Sequence, residues 1–271
     1  MLRTWQDVIE KWRLAPAADP AAADGHAARG RAALLAGELD EALREFRGAG
    51  ELRVHPHDEV GVGDVLLARG RWRAALRRYQ RAARVAPDDP LVLLGRSQAL
   101  VAAGLAREAA SELEARFAGT DDPVLRYYLA STWCSVADQA RTRTADDVLV
   151  FTSAEQLTEC ERAARRMLDL DVDDPELRRG ARRLHAEVVA ARRWRWEPEG
   201  IAVSLAVLAV SLGLLLVAMG GLSGNPAVVV AGVLVGAVLL GAIVLRFRRQ
   251  NWRVLAERHA KGRRITGPAE G

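Results

Sequence analysis

Lysine is almost missing from this 271-residue chain: of its 39 basic residues only Lys11 and Lys261 are lysine, and the rest are arginine. Beside so much alanine and glycine, that bias points to GC-rich codon usage, and so to a bacterium of high genomic GC, more than to guanidinium chemistry. The net charge of +4 is small for this length and is more than supplied by the C-terminal tail, which gives no ground for a nucleic-acid binder. Cysteine is also scarce. Cys134 and Cys160 are too few for a disulfide framework, and in helical patterns each is expected to pack as a small apolar thiol. The sequence holds no phosphate loop, no paired zinc-ligand motif and no nucleophile elbow, so it reads as non-enzymatic, with no catalytic residue, cofactor or metal. The charged stretch Leu2–Arg13 is not a signal peptide.

The most informative absence is local. Ile201–Met219 and Ala227–Leu245 contain no charged residue, and only a Gly-, Ser-, Asn- and Pro-containing turn separates them. Nineteen residues rising about 1.5 Å each cover roughly 29 Å, close to the hydrocarbon thickness of a bilayer. The expectation is a transmembrane hairpin over 197–245 with spans 201–219 and 227–245. Arg182, Arg183, Arg192, Arg193 and Arg195 precede it, Arg246, Arg248, Arg249 and Arg253 follow it, and the turn has no Lys or Arg. The positive-inside rule then puts both termini in the cytoplasm of a plasma (inner) membrane protein. Trp194, Trp196, Phe247 and Trp252 stand where aromatic anchors meet headgroups. Arg246–Arg264 holds eight basic residues and one acid, Glu257, and is expected, within a tail over 246–271, to lie on an anionic inner leaflet. Gly232 and Gly236 form a Gly-x-x-x-Gly pair that permits close helix packing in lipid, within the hairpin in preference to between copies.

The region before the hairpin repeats every 33 or 34 residues. Gly30, Gly63 and Ser97 form one ladder, Gly37, Gly70 and Gly104 a second, Ala42, Ala75 and Ala109 a third, and Phe46, Tyr79 and Leu113 a fourth. Each unit reads as a helix, a turn whose glycine adopts the left-handed conformation, and a second helix. Small residues let the helices approach and the bulky residue fills the wedge to the next pair. Pro87 and Pro123 end units, with neighbouring acids as caps.

This pattern resembles the tetratricopeptide repeat, best over Glu59–Asp89 with Gly63, Gly70, Trp72, Ala75, Tyr79, Ala82 and Pro87 in order, and clearly over about residues 23–123. The family's large aromatic at the head of the first helix is replaced by His26, Glu59 and Leu93. A fourth unit starts at Pro123 and resumes at Ala163, Met167 and Leu170, interrupted by an insertion near 139–156 with the apolar run Val148-Leu149-Val150-Phe151. A helix from Asp173-Asp174-Pro175 to Trp196 caps the stack.

The resemblance implies that the first helix of each unit lines a concave groove. By that alignment Ala27, Arg31, Leu34, Val60, Asp64, Leu67, Leu91, Leu94, Gln98 and Val101 line it. The basic and Asn pattern of a carboxylate clamp is missing, and an apolar groove suits the hydrophobic face of a partner helix; the alternative is tighter repeat packing that buries some of these Leu and Val residues. His55-Pro56-His57-Asp58-Glu59 reads as a solvated loop between units with a capping Asp. The arginines of the second unit, Arg73, Arg77, Arg81 and Arg84 among them, read as a convex surface.

Residues 1–14 form a separate amphipathic helix with Leu2, Trp5, Val8, Ile9 and Trp12 on one face, joined by a Pro/Ala linker (15–22). That face is expected either to dock in the chain's own groove or to cap the first repeat. The fold expected is all-α: a TPR-like helical-hairpin solenoid (23–196) and a two-helix transmembrane hairpin. The function expected is a membrane-tethered adaptor or scaffold binding a protein partner, with an accessory subunit of a membrane enzyme, transporter or secretion assembly as the alternative, and no nucleic acid.

Overall fold

The computed structural model describes residues 21–144, 146–196, 199–250 and 252–253. The amphipathic helix expected at 1–14, most of the linker after it and the tail from residue 254 lie outside the described residues. Among these residues the chain is all-helical apart from two short ribbons. It divides into two compact units: the residues up to Ala140 with Glu159–His185, and Arg141–Thr158 with the residues from Ala186 on.

The first unit contains α1 (Ala21–Ala36), α2 (Leu39–Leu52), α3 (Pro56–Ala68), α4 (Trp72–Val85), α5 (Pro90–Ala102), α6 (Ala106–Phe117) and α7 (Pro123–Ala140), followed by most of α8 (Ala154–Asp169) and α9 (Pro175–Arg192). Because α1 opens at Ala21, the last residues read as linker are helical. From α1 to α7 each helix packs on the next, and the first helices of successive pairs also touch directly, α1 on α3, α3 on α5 and α5 on α7. This is a TPR-like stack of helical hairpins, and α8 joins α7 where Cys160 Sγ donates to Ala137 O at 3.6 Å. Neither cysteine forms a disulfide.

The turns repeat down to single hydrogen bonds. Gly37, Gly70 and Gly104 have φ of 79°, 71° and 81°. In each turn the glycine N–H and the next N–H reach back to successive carbonyls: Gly37 to Leu34 and Glu38 to Ala33, Gly70 to Leu67 and Arg71 to Leu66, Gly104 to Val101 and Leu105 to Leu100. That is the Schellman termination, which requires positive φ at the glycine. The starts are equally regular but differ from the expectation for proline. Pro56, Pro90, Pro123 and Pro175 each open a helix, where a missing N–H costs nothing. Asp89, Asp122 and Asp174 cap three of these helices, each Oδ1 accepting from two backbone N–H groups.

Between pairs, Phe46 and Tyr79 are the wedges. Phe46 lies against Gly30 and Gly61, and Tyr79 against Gly63 and Gly95, so closely that a Cβ at Gly63 or Gly95 would stand 2.7 or 2.5 Å from Tyr79 Cε1. Only glycine fits there, because overpacking of this kind forces backbone shifts.

In the second unit, part of the expected insertion becomes a ribbon. β1 (Thr142–Arg143) pairs antiparallel with β2 (Leu149–Val150), and Arg141 pairs with Glu187 at 3.5 Å. The helices absorb the rest: α7 runs 18 residues against 13 for α3 and α5. Gln139 is not in a loop. In the first unit its amide donates to Val101 O and accepts from Ala106 N–H, closing the α5–α6 turn.

α10 (Glu199–Leu222) and α11 (Pro226–Phe247) are long and apolar enough to cross a membrane over Val203–Leu222 and Pro226–Arg246, and they pack on each other as a hairpin. A Cβ at Gly232 would stand 2.8 Å from Leu216 Cβ, and one at Gly213 3.2 Å from Gly236 Cα. Gly232 and Gly236 thus stand where α10 and α11 come closest. β3 (Trp194–Trp196) pairs antiparallel with β4 (Arg248–Gln250), joining the segments that flank the two helices.

Candidate partner groove

The residues that alignment places on the inner side come from α1, α3 and α5. Val60, Leu91 and Leu94 are 1%, 2% and 0% exposed, Asp64 is 7% exposed, and Arg31, Leu34, Leu67 and Val101 are half-buried. Ala27 is buried too, and Gln98 alone of the ten is exposed. Four of the apolar residues of this set are therefore closed off from the surface. Val60, Leu91 and Leu94 belong to the hydrophobic core of the first unit, with Leu34 and Leu67 packed against it. The physical reason is the direct contact of α3 with α1 and α5, which turns inward-facing positions into interhelical packing.

What remains is a small cleft lined by Arg31, Phe46, His57, Val60, Gly61, Asp64 and Leu91. It gathers four of the expected residues, Arg31, Val60, Asp64 and Leu91, and leaves Ala27, Leu34, Leu67, Leu94, Gln98 and Val101 off its lining. Its floor is apolar and its polar groups are held firmly. Tyr79 O–H donates to Asp64 Oδ1 at 2.6 Å, both residues being buried. Burial first, and then the neighbouring Asp64 carboxylate, push the Tyr79 phenol well above its ordinary range, so it stays a donor.

His57 is the lining residue the sequence reading misplaced. The segment from His55 to Glu59 is not a solvated loop: Pro56 begins α3, and the His55 ring nitrogen accepts from His57 N–H at 3.2 Å as its cap. Burial, above all, holds the His55 imidazole below its ordinary pKa. His57 Nε2 lies 3.0 Å from Asp89 Oδ2, with side chains 8% and 9% exposed. Asp89 therefore serves twice, capping α5 through Oδ1 and holding α3 through Oδ2. Burial pushes its carboxyl upward, but the His57 hydrogen bond and the Val92 and Leu91 N–H groups prevail and hold it below its ordinary value. Asp58 is buried on Arg53, which also reaches Asp24; the Asp58 hydrogen bond leads in holding Arg53 firmly cationic. Glu59 takes Arg78 at 3.1 Å. Only the partners across the units could have revealed this, and they lie up to 32 residues away.

Among the described residues no group of three or more His, Cys, Asp or Glu is placed to hold a metal ion. The arrangement offers no nucleophile–base pair on the cleft. It offers a cation, an imidazole and a carboxylate around an apolar floor, which suits a polar or charged side chain set in an otherwise apolar surface.

No protein-family model matches the chain, and no curated protein sequence matches it. Among solved structures it is similar to a TPR repeats protein from Bacteroides fragilis, with a TM-score of 0.39 and 11% identity over 92% of this chain and 100% of that one. The repeat fold rests on the stacked hairpins, the three Schellman turns and the two aromatic wedges described above.

Proposed function

We propose that the chain is a non-catalytic, membrane-tethered adaptor whose TPR-like array binds a protein partner along its inner side at the cytoplasmic face of the membrane. The observation that carries this reading is the combination in one chain of a helical-repeat array and two helices long and apolar enough to cross a bilayer. Repeat arrays of this type typically act by binding proteins and not by catalysis, because each helix pair adds surface without enclosing an active site. The flanking arginines and the charge-free turn support two spans with both ends cytoplasmic, and the basic tail supports contact with an anionic leaflet.

The burial of Val60, Leu91 and Leu94 refines the partner's chemistry. Recognition rests less on a long apolar stripe than on Arg31, Gln98 and the cleft beside His57 and Asp64. The test is affinity purification of the full-length chain in mild detergent, with R31E and Q98R on the inner side and R77E on the exposed surface of α4 as the control. A partner lost with R31E and Q98R but kept with R77E supports the adaptor. A partner kept by all three and by the hairpin alone would instead make the chain an accessory subunit held through its membrane helices.

A further inference from the structure

Among the second helices of the first three repeats, α4 stands apart in charge. Trp72–Val85 carries Arg73, Arg77, Arg78, Arg81 and Arg84 and no acid. Its counterparts are mixed: α2 sets Arg44 and Arg47 against Asp40, Glu41, Glu45 and Glu51, and α6 sets Arg107 and Arg116 against Glu108, Glu112 and Glu114. Codon usage accounts for arginine in place of lysine. It does not account for a polar helix without acids in a chain that has 35 Asp and Glu among its 271 residues. The first turns differ in the same way. Asp40, Glu41 and Glu108 open α2 and α6, as the helix dipole favours, whereas α4 has no acid there and begins beside Arg71 and Arg73.

Four of these arginines form one stripe. Arg73, Arg77, Arg81 and Arg84 recur at helical spacing, are all exposed, and lie on the side away from the buried Ala75, Tyr79 and Ala82. The Tyr79 wedge holds that buried side in the core, so the stripe is displayed on a fixed helix over roughly 16 Å. Local acids do little to neutralise it. Glu59 takes Arg78 at 3.1 Å and lies 4.0 Å from Arg81. Arg73 lies 4.5 Å from the centroid of the Trp72 ring, and among the described residues no acid pairs with Arg73, Arg77 or Arg84. Like charges at these spacings repel one another along a helix. An anionic surface laid across all four relieves that repulsion.

The composition of the stripe selects its occupant. A specific protein interface has a buried apolar or aromatic centre depleted of charge, and from Arg73 to Arg84 the exposed positions are the four arginines and Gln80. A leaflet of anionic headgroups needs only positive charge facing it. The one large apolar side chain exposed on α4, Val85 at 54%, follows Arg84 in the last turn, where it suits the headgroup boundary. Tethering supplies the rest, because spanning helices in the same chain keep the leaflet at high effective concentration. We propose that the Arg73, Arg77, Arg81 and Arg84 stripe of α4 binds the anionic inner leaflet, docking the repeat array by this side on the membrane that anchors it. The inference rests on the membrane tether of the adaptor reading. It does not compete with the partner site, since the candidate groove is built from the first helices α1, α3 and α5 and the stripe from a second helix.

The test is arginine footprinting with phenylglyoxal, read by mass spectrometry, on the full-length chain in nanodiscs of phosphatidylcholine alone or with an equal part of phosphatidylglycerol. Phosphatidylglycerol is expected to slow modification of Arg73, Arg77, Arg81 and Arg84 roughly fivefold, and to leave Arg107 and Arg116 on α6 unchanged. Salt at about 1 M, where the Debye length is about 3 Å, is expected to restore the rates. In R77E/R81E, Arg73 and Arg84 are expected to react equally in both discs, whereas R77K/R81K, which keeps the charge, keeps their protection. Both positions are exposed, and unchanged circular dichroism and urea midpoint check that the fold survives. Equal rates in the two discs for wild type, or an equal slowing at Arg107 and Arg116, overturns the docking. Protection already present in neutral detergent would mean that protein covers the stripe, and overturns the lipid. Alkaline carbonate separates the two readings: a chain that it extracts from membranes overturns the tether and this inference together, whereas an integral chain with an unprotected stripe overturns only this one.

Discussion

Tyr79 donates its phenolic hydrogen to Asp64 at 2.6 Å inside the first unit, linking the second helix of one repeat to the first helix of the same repeat beside the cleft. The ring that makes this bond is also the wedge between Gly63 and Gly95. One side chain thus fixes the approach of three helices and the orientation of a carboxylate on the cleft lining. Removing only the hydroxyl leaves the packing and takes this one hydrogen bond from the buried carboxylate. Y79F is expected to lose about 1–3 kcal/mol, read as a lower urea midpoint at unchanged slope. D64N, which keeps an acceptor oxygen, is expected to lose less than D64A. Equal losses in D64N and D64A would show that the hydrogen bond contributes nothing.

The glycines facing Tyr79 make a sharper test. G63A and G95A each place a methyl within 2.7 or 2.5 Å of the ring edge, and overpacking at that level costs about 1–3 kcal/mol. Gly50 lies within α2 with nothing near the position of a Cβ. There alanine removes only the entropy penalty of a helical glycine, so G50A is expected to stabilise by about 0.5–1 kcal/mol. Opposite signs for one chemical change, measured by denaturant unfolding, would confirm the wedge.

How much of this was legible in the sequence depends on the range of each cause. Gly37, Gly70 and Gly104 were readable because a Schellman turn is local and demands positive φ at one residue. The wedge role of Phe46 and Tyr79 was readable because bulky residues facing a ladder of small ones at a fixed period imply close packing. The fate of Val60, Leu91 and Leu94 was not. The same period places a residue on the inner side whether it is open to a ligand or closed by the neighbouring first helix, and the distance between α3 and α5 decides which. His57 was misread for a similar reason, since its partner Asp89 is 32 residues on. The sequence shows Arg195 and Arg249 only as two separate flanks, because nothing local announces a strand pairing between positions 54 apart.

The His57–Asp89 pair gives the first unit a pH dependence of known sign. The folded pKa of Asp89 lies below its ordinary value of 3.8. The stabilisation is therefore fully present above that value and is lost as pH falls through it toward the folded pKa. D89N retains a good helix cap but does not titrate. Urea midpoints followed downward from about pH 5 should fall more steeply for wild type than for D89N. Parallel curves would mean that Asp89 binds His57 no better as a carboxylate than as an acid.

Topology follows from charge and can be read directly. With arginines on both flanks and none in the turn, an export-active reporter fused at Gly271 is expected to be silent and one inserted at Ser223 to be active. The reverse pattern would place the repeat array outside the cytoplasm, and activity at both sites would break the hairpin into a single span.

Gly232 and Gly236 decide between packing within one hairpin and packing between copies. In the structure a Cβ at Gly232 would meet Leu216 Cβ and Val217 N at 2.8 and 2.9 Å, and one at Gly236 would stand 3.4 Å from Gly213 Cα. The space that small residues leave is already filled by α10. In lipid no hydrophobic drive holds two such helices together, so this close backbone approach supplies much of what does. G232I/G236I is therefore expected to open the hairpin and lower the temperature at which the detergent-solubilised chain aggregates. Its oligomeric state by light scattering should stay that of wild type. If light scattering instead shows an oligomer falling to monomer at unchanged thermal stability, the two glycines face a second copy and the α10–α11 interface is not their role. G241A is the internal control, because nothing lies near a Cβ at Gly241, and neither measurement should move.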